Sequence, residues 1–241
     1  MIKKISQMQF LDHYEIRARL QPALLTLFPV FYTVAVTYPE LYTIVNSLIA
    51  LVTACGVLVL FSHLCRSGGL KLEKRLFAIN DQLLMPSVRW MRHDDHHLEA
   101  PTKKRYCSFF QTSIPSLNWP SAEDEARASD AANEVYRSAN RWLIQKTRDR
   151  ARFELLYKEL VNYGFRRNLR GAKAVGIILS LLSFGVYVFY FFEIVIVQNT
   201  GMSVGQTSTA ILSFAAVFLW VFYVTDEFVI SSARVMPESG V

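Results

Sequence analysis

The stretch VNYGFRRNLRGAKAVGIILSLLSFGVYVFYFFEIVIVQ, Val161 to Gln198, decides how the chain is read. It opens with Arg166, Arg167, Arg170 and Lys173, then runs nineteen residues without a charge as far as Glu193. An α-helix rises 1.5 Å per residue, so about twenty apolar residues cross the hydrocarbon layer of a bilayer. An abrupt border between cations and apolar residues is what a helix needs where it passes from anionic headgroups into lipid.

The rest of the chain has the same character. Of its 241 residues 52% are hydrophobic, yet the formal net charge is +6. Both hold only if apolar and basic residues are segregated. Uncharged runs cover Leu20–Tyr38, Leu41–Cys65, Ala174–Gln198 (broken by Glu193 near its end) and Thr207–Thr225. Each is too long for a buried strand or a short core helix. Pro39-Glu40 separates the first pair and QNTGMSVGQTS, Gln198–Ser208, the second. A hairpin of helices keeps every backbone hydrogen bond inside its own helix, as lipid demands.

Charge sets the orientation. Of the 26 Lys and Arg, 21 fall between Arg66 and Lys173. Lys3, Lys4, Arg17 and Arg19 precede the first run, Arg234 follows the fourth, and the connectors carry none. By the positive-inside rule the sequence predicts an all-α integral membrane protein: four transmembrane helices in two hairpins with a helical cytoplasmic insert. The expected segments are a cytoplasmic N-terminal segment 1–19, hairpin one 20–65, a basic cytoplasmic domain 66–173, hairpin two 174–225 and a cytoplasmic tail 226–241. Arg166, Arg167, Arg170 and Lys173 then form a basic collar at the anionic headgroups of the membrane, with both termini in the cytoplasm. Lys3 and Lys4 look like the start of a signal peptide, but Asp12, Glu15, Arg17 and Arg19 interrupt before the apolar run. A retained first helix, preceded by an amphipathic segment, is expected.

Within the insert, Gly68-Gly69 predicts a bend at the membrane surface, and Leu70–Leu84 an amphipathic stretch ended or redirected by Pro86. The proline-bearing APTKKRYCSFFQTSIPSLNWP, 100–120, reads as an ordered loop. Ser121 before AEDEA reads as a helix N-cap with acids in the first turn. One or two long helices should follow into the third span, with Ala139, Trp142, Leu143, Leu156 and Leu160 as the apolar stripe. Arg150 and Glu154 stand at i,i+4 on the charged face, and Gly164 marks a bend.

RHDDHH, Arg92–His97, is the polar cluster with chemical interest. On a helix His93 and His97 share a face with Asp94 or Asp95 nearby, a ligand set for a divalent metal. The plainer reading is a solvated turn after Trp90. TRDRAR, 147–152, and RRNLR, 166–170, carry enough charge for phosphorylated ligands or nucleic acid. The collar already explains the second and pairing with acids the first, so nucleic acid is not expected. Glu193, Asp226 and Glu227 lie near span ends, where a carboxylate costs little. Ala172, Gly176 and Ser180 recur every four residues and let another helix approach closely. Cys55, Cys65 and Cys107 read as free thiols. No nucleophile elbow, phosphate loop or dinucleotide fingerprint occurs, so neither an enzyme nor a cofactor is the leading expectation.

RHDD, TKKRY at Thr102–Tyr106, TRD at Thr147–Asp149 and YGFRRNLRGAK at Tyr163–Lys173 together resemble a group of uncharacterised bacterial inner-membrane proteins. In that group a basic insert separates two pairs of transmembrane helices, and YGFRRN is the most specific element. Val161 stands where the group's pattern has an acidic residue. The resemblance implies a bacterial membrane protein and transfers no catalytic residue. In architecture the chain is also similar to membrane effectors of anti-phage and mobile-element systems.

The expected function is therefore a multi-pass inner-membrane protein whose cytoplasmic domain senses or binds a cytoplasmic protein or nucleotide ligand. Its output would be bilayer perturbation or a small pore, and a homo-oligomer fits that build. The alternatives are a scaffold recruiting a cytoplasmic partner to the membrane, and a metal-dependent membrane enzyme using His93, Asp94, Asp95 and His97.

Overall fold

The computed structural model describes residues 13–38, 44–79, 82–198 and 200–238. Among them the chain is helical but for one small β-pairing. The helices are α1 (Glu15–Thr37), α2 (Ile44–Phe77), α3 (Pro86–Arg89), α4 (Ala100–Ser113), α5 (Ala122–Arg127), α6 (Ser129–Lys146), α7 (Glu154–Gly171), α8 (Lys173–Val197), α9 (Val204–Tyr223) and α10 (Asp226–Glu238). Ala78–Ile79 pairs antiparallel with Gln82–Leu83. The segment before residue 13, the connector Pro39-Glu40 and the last three residues lie outside the described residues.

Four helices are long and apolar enough to cross a membrane: Glu15–Thr37, Asn46–Phe77, Lys173–Val197 and Val204–Tyr223. They fall where the four uncharged runs predict. The chain separates into two compact units, one of residues up to Glu73 with Val161–Val229, the other of Lys74–Leu160 with the residues from Ile230 onward.

In the first unit α8 and α9 pack along each other, and α1 packs on both. Small and hydroxylated residues let helices approach closely and bond across or within the bundle. The inward residues are accordingly small or hydroxylated: Thr26, Thr33, Ser180, Ser183, Thr209 and Ser213 are buried, while Leu48, Val52, Leu182, Phe189 and Ile211 point outward. Thr26 and Thr33 donate to the carbonyls of Pro22 and Pro29, both 2.7 Å. These bonds lie within α1, one of them next to Pro29, whose missing N–H breaks the helix ladder. Tyr32 Oη meets Ser208 Oγ at 2.5 Å near the far end. The four-residue stripe is used inside this bundle: a Cβ on Gly176 would lie 2.3 Å from the Trp220 ring.

Two glycine expectations are corrected. Gly68-Gly69 does not bend the chain; α2 runs through both to Phe77. The glycines let α7 come close, since a Cβ on Gly171 would stand 2.2 Å from the Gly69 nitrogen. Nor does Gly164 bend α7; it makes room for Ala18 of α1 and for Tyr14 just before that helix.

The second unit has its own core of Leu84, Val88, Met91, Phe110, Ala132, Tyr136 and Ala139. Trp119 stacks on Phe110 with ring centroids 5.7 Å apart and meets Tyr136 edge-on. The segment read as a loop at 100–120 is instead helical over Ala100–Ser113. Pro101 occupies the first turn, where its missing N–H has no intrahelical partner to lose. Ser121 caps α5 as predicted: its hydroxyl accepts from the Asp124 N–H at 3.1 Å in a capping box. The long helix is interrupted at 147–153. There Thr147 Oγ1 donates to the Leu143 carbonyl, and Asp149 accepts from the N–H groups of Ala151 and Arg152, so side chains take bonds the backbone ladder would have made.

Candidate functional site

In the first unit, the last turns of α7 hold the ends of three other helices. Arg167 Nη1 donates to Glu73 of α2 at 2.7 Å, with both side chains nearly covered. Tyr163 Oη donates to the same carboxylate oxygen at 2.7 Å. The Asn168 amide, fully buried, donates to the Ala18 carbonyl of α1 at 2.6 Å. Arg170 pairs with Asp226 at 2.9 Å. Arg166 lies 4.7 Å from the Phe228 ring centroid and donates to its carbonyl. Lys173 donates to the carbonyls of Val221 and Val224, at the C-terminus of α9, where a cation meets the negative end of the helix dipole.

Each of the four residues expected to form a collar at the headgroups therefore has a partner within the protein. YGFRRNLRGAK is a knot of tertiary contacts. Burial by itself would lower the pKa of Arg167, but Glu73 outweighs it and holds the guanidinium above its ordinary value. Burial first, then the Glu73 charge, pushes the Tyr163 phenol up. Chemically the cluster is an ionic clamp in which the buried Arg170 Nε alone lacks a hydrogen-bond partner. Sequence reasoning missed Glu73, Tyr163 and Asn168. Glu73 is the one acid in LKLEKRLF, and a lone acid in a basic stretch was the available signal.

In the second unit RHDDHH is a turn rather than a helix. Asp94 binds Arg92 with both oxygens, at 2.8 and 2.9 Å, and that bond holds its carboxyl below the usual range. Asp95 pairs with Arg89 at 3.2 Å. His93 Nε2 lies 3.0 Å from the Pro120 carbonyl oxygen, and His97 stacks on Trp90 with centroids 4.1 Å apart. The four residues singled out as metal ligands are thus drawn to four different partners. Among the described residues no group of three His, Cys, Asp or Glu could hold a metal ion.

The turn is fixed from behind. Glu125, 3% exposed, accepts from the N–H groups of His93 and Asp94 and from Tyr136 Oη at 2.6 Å. Lys103 reaches the carbonyls of Arg92 and Asp95. Arg92 Nη1 also donates to Asn133 at 2.5 Å. In the sequence Glu125 looks like another first-turn acid, and only the tertiary structure turns it inward. Beside the turn lies an open recess of about 590 Å³, bordered by His96, Glu99, Lys104, Cys107 and Trp119. Its lining mixes cations and carboxylates and defines no single ligand chemistry.

The class these features define is an all-helical chain with four helices long and apolar enough to span a bilayer, compatible with a multi-pass membrane protein. No protein-family model matches the chain, and searches of curated proteins and of solved structures give no match either.

Proposed function

We propose that the chain is a multi-pass protein of the bacterial inner membrane, with both termini and the basic segment 66–173 in the cytoplasm. That segment binds a cytoplasmic ligand or partner, and the membrane helices respond by perturbing the bilayer. The charge distribution supports the sidedness: 21 of 26 Lys and Arg fall from Arg66 to Lys173, between the second and third uncharged runs, and neither connector has any. The α7 knot supports the response. α7 is one unbroken helix from Glu154 to Gly171, and its end grips α1, α2 and α10 and leads through Ala172 into α8. A shift of α7 would be felt by all of them.

Two measurements test the reading. A reporter fused within α6 should be active only in the cytoplasm, and one inserted near Gly201 only in the periplasm; the reverse pattern removes the proposal. Purified protein in dye-loaded liposomes should release dye when a cytoplasmic extract is added. Retention of dye alongside a stable co-purifying protein would leave the scaffold reading in its place.

A further inference from the structure

The interruption between α6 and α7 is where the second unit concentrates positive charge. From Arg141 to Arg152 the chain carries Arg141, Lys146, Arg148, Arg150 and Arg152 against one acid, Asp149. All five cations are exposed. The Asp149 carboxylate accepts from two backbone N–H groups of its own turn. Glu154 pairs with Lys158 at 2.7 Å. Among the described residues no carboxylate pairs with Arg148 or Arg152. Like charges held this close repel, and exchange of one neighbouring side chain for an acid would relieve them.

We infer that the loop 147–153, with Lys146, is a binding surface for a ligand presenting several phosphate groups. The inference deepens the proposed function by naming the class of ligand, and rests on the segment facing the cytoplasm. The loop cations are arginines, whose planar fork matches phosphate oxygens two at a time. The aromatic neighbours decide against nucleic acid. Lys146 lies over Trp142 at 5.5 Å, Arg150 over Tyr157 at 4.8 Å and Arg152 over Phe153 at 5.4 Å. Binding of single-stranded nucleic acid relies on open ring faces on which bases stack. Here a cation covers one face of each ring, the rings are partly buried, and the cations are exposed. A soluble polyphosphate and an anionic lipid headgroup share the required chemistry.

The test uses the full chain in nanodiscs, with inorganic triphosphate as the probe. In phosphatidylcholine discs triphosphate should bind and weaken steeply with added salt. The R148Q/R152Q double variant should lose about tenfold or more in affinity, from at least one charge-assisted contact, with an unchanged thermal transition. R148K/R152K should retain part of the binding. If headgroups are the natural source, discs containing phosphatidylglycerol will mask triphosphate binding in the native chain; equal affinity in both discs marks a soluble ligand. Binding unchanged in the double variant, absence of binding in phosphatidylcholine discs, or displacement of triphosphate by mixed-sequence single-stranded RNA at lower phosphate concentration each overturns the inference. The topology reporters fail independently of these titrations, so the two readings stand or fall apart.

Discussion

Arg167 of α7 and Glu73 of α2 are 94 residues apart in sequence and 2.7 Å apart in space. Their side chains are 11% and 12% exposed, and Tyr163 donates to the same carboxylate oxygen. A pair this covered is stable because each charge is satisfied; removing one partner strands the other.

Glu73→Ala should therefore cost about 3 kcal/mol or more in unfolding free energy. A cycle with Arg167→Ala should show strong coupling, the double variant costing less than the two single costs added. Denaturant titration of the protein in detergent reads this directly. Additive effects would mean that the two side chains do not depend on each other.

The glycines divide by what faces them. Gly171→Ala drives a Cβ into the Gly69 backbone, 2.2 Å away, whereas Gly185 has nothing within 4 Å. Gly171→Ala should destabilise by at least about 1–3 kcal/mol, the usual cost of overpacking. Gly185→Ala should be neutral, or stabilising by up to about 1 kcal/mol through helix propensity. Equal transition temperatures for the two variants would refute the close crossing of α2 and α7.

Acid should weaken the second unit through Asp94. Its pKa is lowered in the folded chain, chiefly by the bond from Arg92. The stability it adds is present above the unfolded value of about 3.9 and is lost as pH falls through the folded one. Asp94→Asn should flatten that acid limb in a circular dichroism titration. Tyr163 has the opposite sign. Its pKa is raised by burial and Glu73, so its contribution is intact below about pH 10 and declines as the unfolded phenol ionises. Tyr163→Phe should remove that alkaline limb.

Two glutamates of α5, Glu123 and Glu125, should differ sharply. Glu125 is 3% exposed and accepts from two N–H groups and Tyr136, while Glu123 is exposed. Glu125→Ala should cost about 2–4 kcal/mol by leaving buried donors unpaired. Glu123→Ala should stay within about 0.5 kcal/mol. Thermal melts of the two variants check the contrast, and similar losses would contradict the inward position of Glu125.

The sequence by itself determined the four helices long and apolar enough to cross a membrane and the N-cap at Ser121. Both depend on short-range chemistry: an apolar run long enough for a bilayer, and a hydroxyl three residues before the N–H it accepts from. It also marked Tyr163–Lys173 as a special stretch, but supplied lipid headgroups as the partner of its cations. Only the tertiary structure decided that Arg167 belongs to Glu73, Arg170 to Asp226 and Asn168 to the Ala18 carbonyl. Those choices depend on which helices meet, and composition carries no record of a partner 94 residues away. Gly68, Gly69 and Gly164 were misread for the same reason. A glycine that bends a chain and a glycine that admits another helix are one residue type, and only the neighbour distinguishes them.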